Sequence, residues 1–169
     1  MRSSVSVEVR APSNLVFELA RDVERWPQLL PHYQSVHVLE RHADRSISAR
    51  MVAVRRTVGL LVPGIPVTWR ARVWFDEDEL RLRFRHRGGA TNGMGVTWFI
   101  QPTASGCRVR IEHQFEPRVP GWAILVDVLF VRPIATRTLA TFKAIAEAGA
   151  DAASRPGGSN RGATAKESA

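Results

Sequence analysis

Three side chains that can transfer protons are polar exceptions among the apolar side chains that the strand pattern turns inward: Tyr33, His86 and His113. His86 and His113 each occupy an apolar position of an alternating segment, so we expect both to point into the protein interior. A buried imidazole is either a hydrogen-bonded part of the core or a group that transfers protons and polarises a ligand. Both interpretations stay open for the two histidines, and Tyr33 can take either part.

The segments that carry these residues alternate between apolar and other side chains, as strands with one buried face do. Short turns separate the segments, which favours an antiparallel sheet. The inward positions that would line a ligand cavity include Met51, Trp69, Phe84, Trp98 and Phe115. Seven strands are predicted, at 4–10, 33–42, 46–57, 66–76, 79–87, 93–101 and 106–116.

Helical patterns flank the strands, so the predicted class is α+β. A short helix ends near Arg21 and is followed by a turn at Trp26–Pro27, while 122–148 form one long helix with a kink at Pro133. Asp127 is expected on the exposed face of that helix, paired with an arginine. One domain, 1–149, accounts for a single core, and the Ser-, Gly-, Ala- and Arg-rich segment 150–169 is predicted to be a disordered tail.

The charge of the chain is carried almost entirely by arginine. Lysine and arginine number 24 against 16 acidic residues, and Lys143 and Lys166 are the lysines. A compositional bias of the source genome explains this, but a positive surface also attracts an acidic acyl carrier protein or an anionic membrane. Nucleic acid is disfavoured, because no nucleic-acid-binding motif accompanies the charge.

Several chemistries are disfavoured by what the sequence lacks. Cys107 is a lone cysteine, and the spacing of His32, His37 and His42 places the last two on opposite strand faces, so no metal site is predicted. The glycine-rich segment 88–93 lacks the Lys-Ser/Thr of a phosphate loop. We expect no metal or organic cofactor. No leader or membrane-spanning pattern is apparent, so the expected location is cytoplasmic.

The order of the predicted elements and a set of short motifs within residues 3–148 together indicate a known fold. The chain resembles the START-like, or helix-grip, superfamily, specifically its polyketide cyclase/dehydrase and lipid-transport group. The resemblance implies a curved seven-stranded antiparallel sheet that grips the long C-terminal helix around an apolar cavity. It also implies a hydrophobic, aromatic or polyketide-like ligand. The motifs are Ala11-Pro12, Asp22, Trp26-Pro27, Tyr33, the stretch 83–98 and the stretch 108–113.

The resemblance conflicts with the strand alternation at two arginines. Aromatase/cyclases of this group match the chain at Trp26 and Tyr33, and an ungapped match implies cavity arginines at Arg72 and Arg85 and a cavity tryptophan at Trp98. Alternation places Arg72 and Arg85 on the outer face unless a β-bulge turns their strands over. Arg55 shares the inward parity of Met51, so it points into the cavity or lies in solvent at the strand end.

The resemblance leaves three functions open. An enzyme of this kind would be a cofactor-independent polyketide aromatase/cyclase that uses Tyr33, His86 and His113. The alternative is a non-catalytic lipid or quinone carrier, and an interaction module like the family's ribosome-associated members is a third option. The apolar segments 58–66 and 122–131 suggest a lid, a membrane-touching edge or a dimer contact, so the chain is expected to be a monomer or homodimer.

Overall fold

The computed structural model describes residues 1–55, 64–89, 91–116 and 121–154, apart from the side chains of Arg55 and Ala123. Within these residues, seven strands form one antiparallel sheet in the order β1-β7-β6-β5-β4-β3-β2, with two short helices after β1 and a long C-terminal helix. The predicted α+β architecture, with a seven-stranded antiparallel sheet and a long C-terminal helix, is therefore confirmed. The elements are β1 (Arg2–Val9), α1 (Ser13–Arg21), α2 (Trp26–Leu29), β2 (Tyr33–Arg41), β3 (Ile47–Arg55), β4 (Ile65–Asp76), β5 (Arg81–Arg87), β6 (Gly95–Thr103), β7 (Gly106–Gln114), α3 (Trp122–Val126) and α4 (Arg132–Ser154).

Alternation along the strands divides the sheet into two chemically different faces. On the inner face, Val73, Phe84, Val96 and His113 lie directly opposite one another across β4 to β7. All four are buried, whereas the residues next to them along the strands point outward and include Arg72, Arg83 and Arg85. The two-residue period of a strand thus keeps apolar groups and imidazoles inside and arginines outside.

An irregularity in β2 brings Tyr33 to the inner face. The pairing of β2 with β3 shifts between Tyr33 and Ser35, so one extra residue is accommodated there. Tyr33 and Val36 are three residues apart and would point to opposite faces of a regular strand, yet both are buried. The bulge therefore places the tyrosine against the core at the beginning of β2.

The C-terminal helix is interrupted close to the predicted kink. A π-helical turn spans Asp127–Val131, and the backbone N–H of Arg132 donates to the carbonyl of Asp127. Pro133 cannot donate a backbone hydrogen bond, which explains an irregular turn immediately before it. The helix then continues to Ser154, six residues beyond the predicted helix end at 148. Residues 155–169, and 58–63 of the predicted apolar loop, lie outside the described residues.

Asp127 is buried, although the sequence predicted it on the exposed face of the helix. It is 5% exposed, because its carboxylate is enclosed between β1 and the π-helical turn. Its Oδ1 accepts a hydrogen bond from Ser3 Oγ at 2.7 Å, and its Oδ2 accepts one from Arg132 Nε at 2.7 Å. The predicted arginine partner is confirmed and the predicted exposure is wrong. This carboxylate ties the start of the C-terminal helix to the first strand.

Replacing that carboxylate tests its structural role. Asp127→Asn puts an amide nitrogen or a neutral oxygen opposite Arg132, so a partly buried hydrogen bond is lost or loses its charge assistance. We expect the free energy of unfolding to fall by about 2 kcal/mol. Urea denaturation monitored by circular dichroism measures the change. Asp151→Asn, at an exposed position of α4, is the control, and equal stability of the two variants would contradict the anchoring role.

No helix among the described residues is both long enough and apolar enough to cross a membrane.

Candidate functional site

A cavity of about 80 Å³ lies between the inner face of the sheet, the segment from α2 to β2 and the beginning of α4. Aromatic, aliphatic and sulfur-containing side chains form most of its wall, as they do in many ligand pockets. None of the described residues that line it is acidic or basic, apart from two histidines. The volume suits several water molecules or a small group, so a polycyclic ligand would need the wall to open.

Trp26 is the centre of the aromatic part of the wall. Its ring lies 5.2 Å from that of Tyr33 and 5.5 Å from that of Trp98, measured between centroids, and Phe84 and Phe142 follow at 5.9 and 6.0 Å. The indole Nε1–H donates to the carbonyl of Ala20 at 3.1 Å. Because its polar atom is already satisfied, Trp26 contributes shape and packing to the cavity rather than a hydrogen bond for a ligand.

His86 is held rigidly in the wall. Its Nδ1 lies 2.9 Å from Thr91 Oγ1, and its ring stacks on Trp69 with an interplanar angle of 13° and a centroid distance of 5.7 Å. Burial, together with a smaller effect of His113, lowers the pKa of His86 from 6.5 to about 3. The imidazole is therefore neutral at pH 7 and can accept or donate one hydrogen bond toward the cavity.

His113 has a different environment in the same wall. Its Nδ1 is buried with no hydrogen-bond partner in the described part of the chain. Burial lowers the pKa of His113 to about 4, while the carboxylate of Asp127 acts in the opposite direction. The anchor of the C-terminal helix thus also supplies a negative charge that favours the imidazolium of His113.

Tyr33 presents the third polar group of the cavity. Burial raises the pKa of its hydroxyl well above the usual range, and hydrogen bonding with the Thr138 side chain opposes that rise. The phenol is therefore protonated at neutral pH and can donate a hydrogen bond.

The structure brings most of the sequence-predicted residues together. Trp26, Tyr33, Met51, Trp69, Phe84, His86, Trp98 and His113 line the cavity. Phe115 is buried but lies outside the wall, at the end of β7, where its backbone pairs with that of Met1. Its predicted place in the ligand pocket is therefore corrected. The side chain of Arg55 lies outside the described residues.

The placement of Arg72 and Arg85 that the resemblance implies is also corrected. Pairing of β4 with β5 runs without a shift from Arg70 opposite Arg87 to Asp76 opposite Arg81, so neither strand is turned over by a bulge. Arg72 donates to Ser46 Oγ at 2.9 Å and to Asp44 Oδ2 at 3.0 Å on the outer face. Arg85 is exposed beside it. Neither guanidinium reaches the cavity.

Sequence reasoning missed two hydroxyl groups and a histidine. Thr91 supports His86 from the β5–β6 connection, and Thr138 in α4 contacts His32 at 2.8 Å between Oγ1 and Nε2. Helical spacing could have identified Thr138, because it follows the buried residues Val131 and Ala135 by seven and three positions and so shares their helix face. The contact of Thr138 with His32 joins residues 106 positions apart, so no local sequence pattern predicts it.

No cluster of three or more histidine, cysteine or acidic side chains suited to a metal ion occurs in the described ranges.

Comparison with known proteins agrees with this geometry. The chain is 28% identical over 128 residues to the actinorhodin polyketide synthase bifunctional cyclase/dehydratase of Streptomyces coelicolor, an alignment that covers 72% of this chain and 38% of that protein. Its fold matches the Zhui aromatase/cyclase of Streptomyces sp. R1128 with a TM-score of 0.75 at 19% identity, over 91% of this chain and 98% of that one. A START superfamily protein of Mycobacterium smegmatis matches with a TM-score of 0.63 at 18% identity, over 90% and 99% of the two chains.

A family model described as polyketide cyclase/dehydrase and lipid transport matches residues 9–143, which include every element from the end of β1 to the middle of α4. This chain belongs to the polyketide cyclase/dehydrase and lipid-transport family.

Proposed function

We propose that this chain binds a hydrophobic, aromatic or polyketide-like molecule in its cavity and catalyses the cyclisation and dehydration of a poly-β-ketone. The observation that carries the proposal is the convergence of two neutral imidazoles and one phenol on a single aromatic-walled cavity. These groups can accept, donate and hold protons without a cofactor. Family membership and the names of the relatives support the reaction class.

The environments of the two histidines favour different roles. The Asp127 carboxylate favours the imidazolium of His113, so His113 is the proposed base. It removes a proton from a carbon between two carbonyls, and the resulting enolate carbon forms a bond to a second carbonyl carbon. Tyr33 gives its proton to the oxygen of that carbonyl. His86, fixed by Thr91 and Trp69, orients the chain by hydrogen bonding.

Dehydration then uses the same groups, after the proton on His113 has returned to the Tyr33 phenolate and restored the base and the acid. Removal of a second proton from the attacking carbon, with protonation and departure of the new hydroxyl, releases one water molecule and leaves a carbon–carbon double bond. Neither the cyclisation nor the dehydration needs an oxidant or a reductant. The aromatic wall holds the nascent ring flat, which favours the product geometry.

A non-catalytic carrier of a lipid or quinone is the second candidate. The observation that favours it is the placement of Arg72 and Arg85 outside the cavity, because the resemblance to aromatase/cyclases implied them inside. A carrier needs an apolar pocket and no proton transfer, so it would bind such a ligand without converting it.

The outer face of the sheet offers a docking surface for the proposed partner, an acidic acyl carrier protein. Arg50, Arg70 and Arg87 lie directly opposite one another across β3, β4 and β5. All three are exposed, and none forms a salt bridge within the described residues, whereas the neighbouring Arg72 and Arg81 are paired with Asp44 and Glu79. Like charges opposite one another destabilise a sheet, so an acidic partner would relieve their repulsion.

Substitution of the three polar cavity groups tests catalysis. We expect His113→Ala, His86→Ala and Tyr33→Phe each to lower kcat by about 100-fold, the usual effect of removing a general acid or base. Conversion of a synthetic poly-β-ketone thioester, followed by mass spectrometry, measures turnover. His37→Ala, at an exposed position of β2, should retain activity. Binding without turnover in the wild-type protein would favour the carrier.

The depressed histidine pKa values predict a pH dependence of stability. His32, His86 and His113 have pKa values of about 4, 3 and 4 in the folded state, against 6.5 when unfolded. The unfolded chain therefore binds more protons below pH 6.5, so stability is complete above that pH and falls as the pH decreases toward 4.

His86→Gln should reduce the slope of this loss by up to about 1.4 kcal/mol per pH unit, the contribution of one proton. Urea unfolding at pH 7, 6, 5 and 4 measures the slope. His37→Gln, at an exposed position of β2, is the matched control. Identical slopes for both variants would mean that His86 is charged or exposed in the folded protein.

The docking proposal predicts a salt-dependent and position-dependent affinity. Combined substitution of Arg50, Arg70 and Arg87 by glutamine should weaken binding of a purified bacterial acyl carrier protein about 10-fold, since three exposed charge contacts are each worth about 0.5 kcal/mol. Raising the salt concentration should weaken wild-type binding similarly. Substitution of the exposed Arg2, Arg45 and Arg137 removes equal charge elsewhere. An equal loss of carrier-protein affinity in both triple variants would contradict docking at this surface. Binding to phosphatidylglycerol vesicles, without binding to the carrier protein, would also contradict it.

A further inference from the structure

The cavity is closest to solvent between the beginning of β4 and the π-helical turn. Of the residues described in its wall, all are buried except Val67 in β4, Phe130 in the π-helical turn and Ile134 in α4. These three side chains are partly exposed, so they form the edge of an opening, the cavity mouth. A ligand that enters or leaves by this route passes between β4 and the C-terminal helix.

Exposed apolar side chains are concentrated at the cavity mouth. Five of the six large hydrophobic residues that are exposed in the described ranges lie on the two segments that lead to it: Ile65, Trp122, Ile124, Leu125 and Val128. We call these five residues the mouth patch. The sixth, Leu39, lies near the turn between β2 and β3. Scattered exposure would not produce this arrangement, so the patch marks an interaction surface.

The helical part of the mouth patch presents one aliphatic face to solvent. Ile124, Leu125 and Val128 follow one another by one and three positions and share a helix face, whereas Val126 and Asp127 are buried on the other. The side chains of the exposed face carry no hydrogen-bonding group. Protein interfaces use polar contacts around their apolar centre, which this face does not offer. Lipid acyl chains need none.

The charges beside the mouth patch are positive. Asp127 is the sole acidic residue in 121–146, and its carboxylate is buried and already hydrogen-bonded. Arg132 follows Val128 by four positions, and 60% of its side chain is exposed. On the β4 side of the mouth, the sequence 50–75 contains no acidic residue. Aliphatic groups with cations beside them, and without exposed carboxylates in these segments, are complementary to an anionic lipid surface.

We propose that the mouth patch docks on the anionic surface of a lipid bilayer, with the cavity mouth facing the acyl chains. Ile124, Leu125 and Val128 enter the boundary between headgroups and acyl chains, and Arg132 contacts lipid phosphates. A hydrophobic ligand or product then moves between the cavity and the bilayer without exposing its apolar surface to water. This inference goes beyond the proposed function, because it applies equally to an enzyme that releases an apolar product and to a carrier.

Vesicle binding tests the apolar contact. The whole protein is sedimented with mixed phosphatidylcholine and phosphatidylglycerol vesicles. We expect Val128→Glu to weaken binding about 10-fold, because it removes an apolar contact and adds a charge that anionic lipid repels. Leu39→Glu is the matched control, since it adds the same charge outside the patch at a residue of similar exposure, 54% against 57%. Equal losses in the two variants, or no binding by the wild-type protein, would overturn the proposal.

The arginines of the outer face are the other cationic surface that lipid could contact. Combined substitution of Arg50, Arg70 and Arg87 by glutamine removes three exposed charges there. We expect this triple variant to bind the vesicles more tightly than Val128→Glu does. A loss of vesicle binding in the triple variant, with none in Val128→Glu, would place the lipid on the outer face and overturn the proposal.

Two other occupants of the mouth patch are distinguished by the same variant. If Val128→Glu weakens binding of the acyl carrier protein and leaves vesicle binding intact, the patch is a protein-docking surface. If it converts a wild-type dimer into a monomer in analytical ultracentrifugation and leaves vesicle binding intact, the patch is an interface between two copies of this chain. Either result overturns the proposal.

Tryptophan fluorescence identifies the part of the protein that enters the lipid. Brominated acyl chains quench an indole that lies among them, and Trp122 belongs to the mouth patch. We expect vesicles of brominated lipid to quench the wild-type protein and Trp122→Phe to lose most of that quenching. Trp74→Phe is the control, because Trp74 lies on the outer face beside Arg72. Quenching that persists in Trp122→Phe and is lost in Trp74→Phe would overturn the proposal.

Discussion

Between Arg70 and Asp76, β4 stays in uninterrupted register with β5, and every second side chain therefore points to the same face. This regularity keeps Phe84 and His86 in the cavity wall and leaves Arg85 and Arg87 in solvent. A one-residue slip would exchange the two faces and bury several guanidinium groups, at a large cost in desolvation. The apolar character of the cavity and the cationic character of the outer face thus have the same origin.

Desolvation then sets the chemistry that the cavity can support. Because burial lowers the pKa values of His86 and His113 and raises that of Tyr33, all three groups are neutral near pH 7. Asp127 modifies this pattern at one place. It holds the π-helical turn to Ser3 and Arg132 and at the same time favours charge on His113, so one carboxylate links the anchoring of the helix to the basicity of the cavity.

Features that depend on neighbouring residues in the sequence were predicted, and features that depend on contacts between distant residues were not. Trp69, Phe84 and Trp98 were placed correctly because strand parity is a local property, and parity also placed Arg72 correctly where family resemblance did not. The bulge at Tyr33, the burial of Asp127 and the contact between His32 and Thr138 depend on partners far along the chain. No local pattern encodes those contacts. The helix from Ala150 to Ser154 was missed because its composition resembles that of the following tail.

The neutral lining constrains any reaction that the cavity performs. An aldol-type closure generates negative charge on oxygen, and an unpaired anion in apolar surroundings is strongly unfavourable. Within the described lining there is no arginine or lysine to balance that charge. A mechanism that fits these walls must therefore transfer a proton to the oxygen as the carbon–carbon bond forms, rather than accumulate a free oxyanion. A phenol that directs its proton into the cavity, as Tyr33 can, meets that requirement.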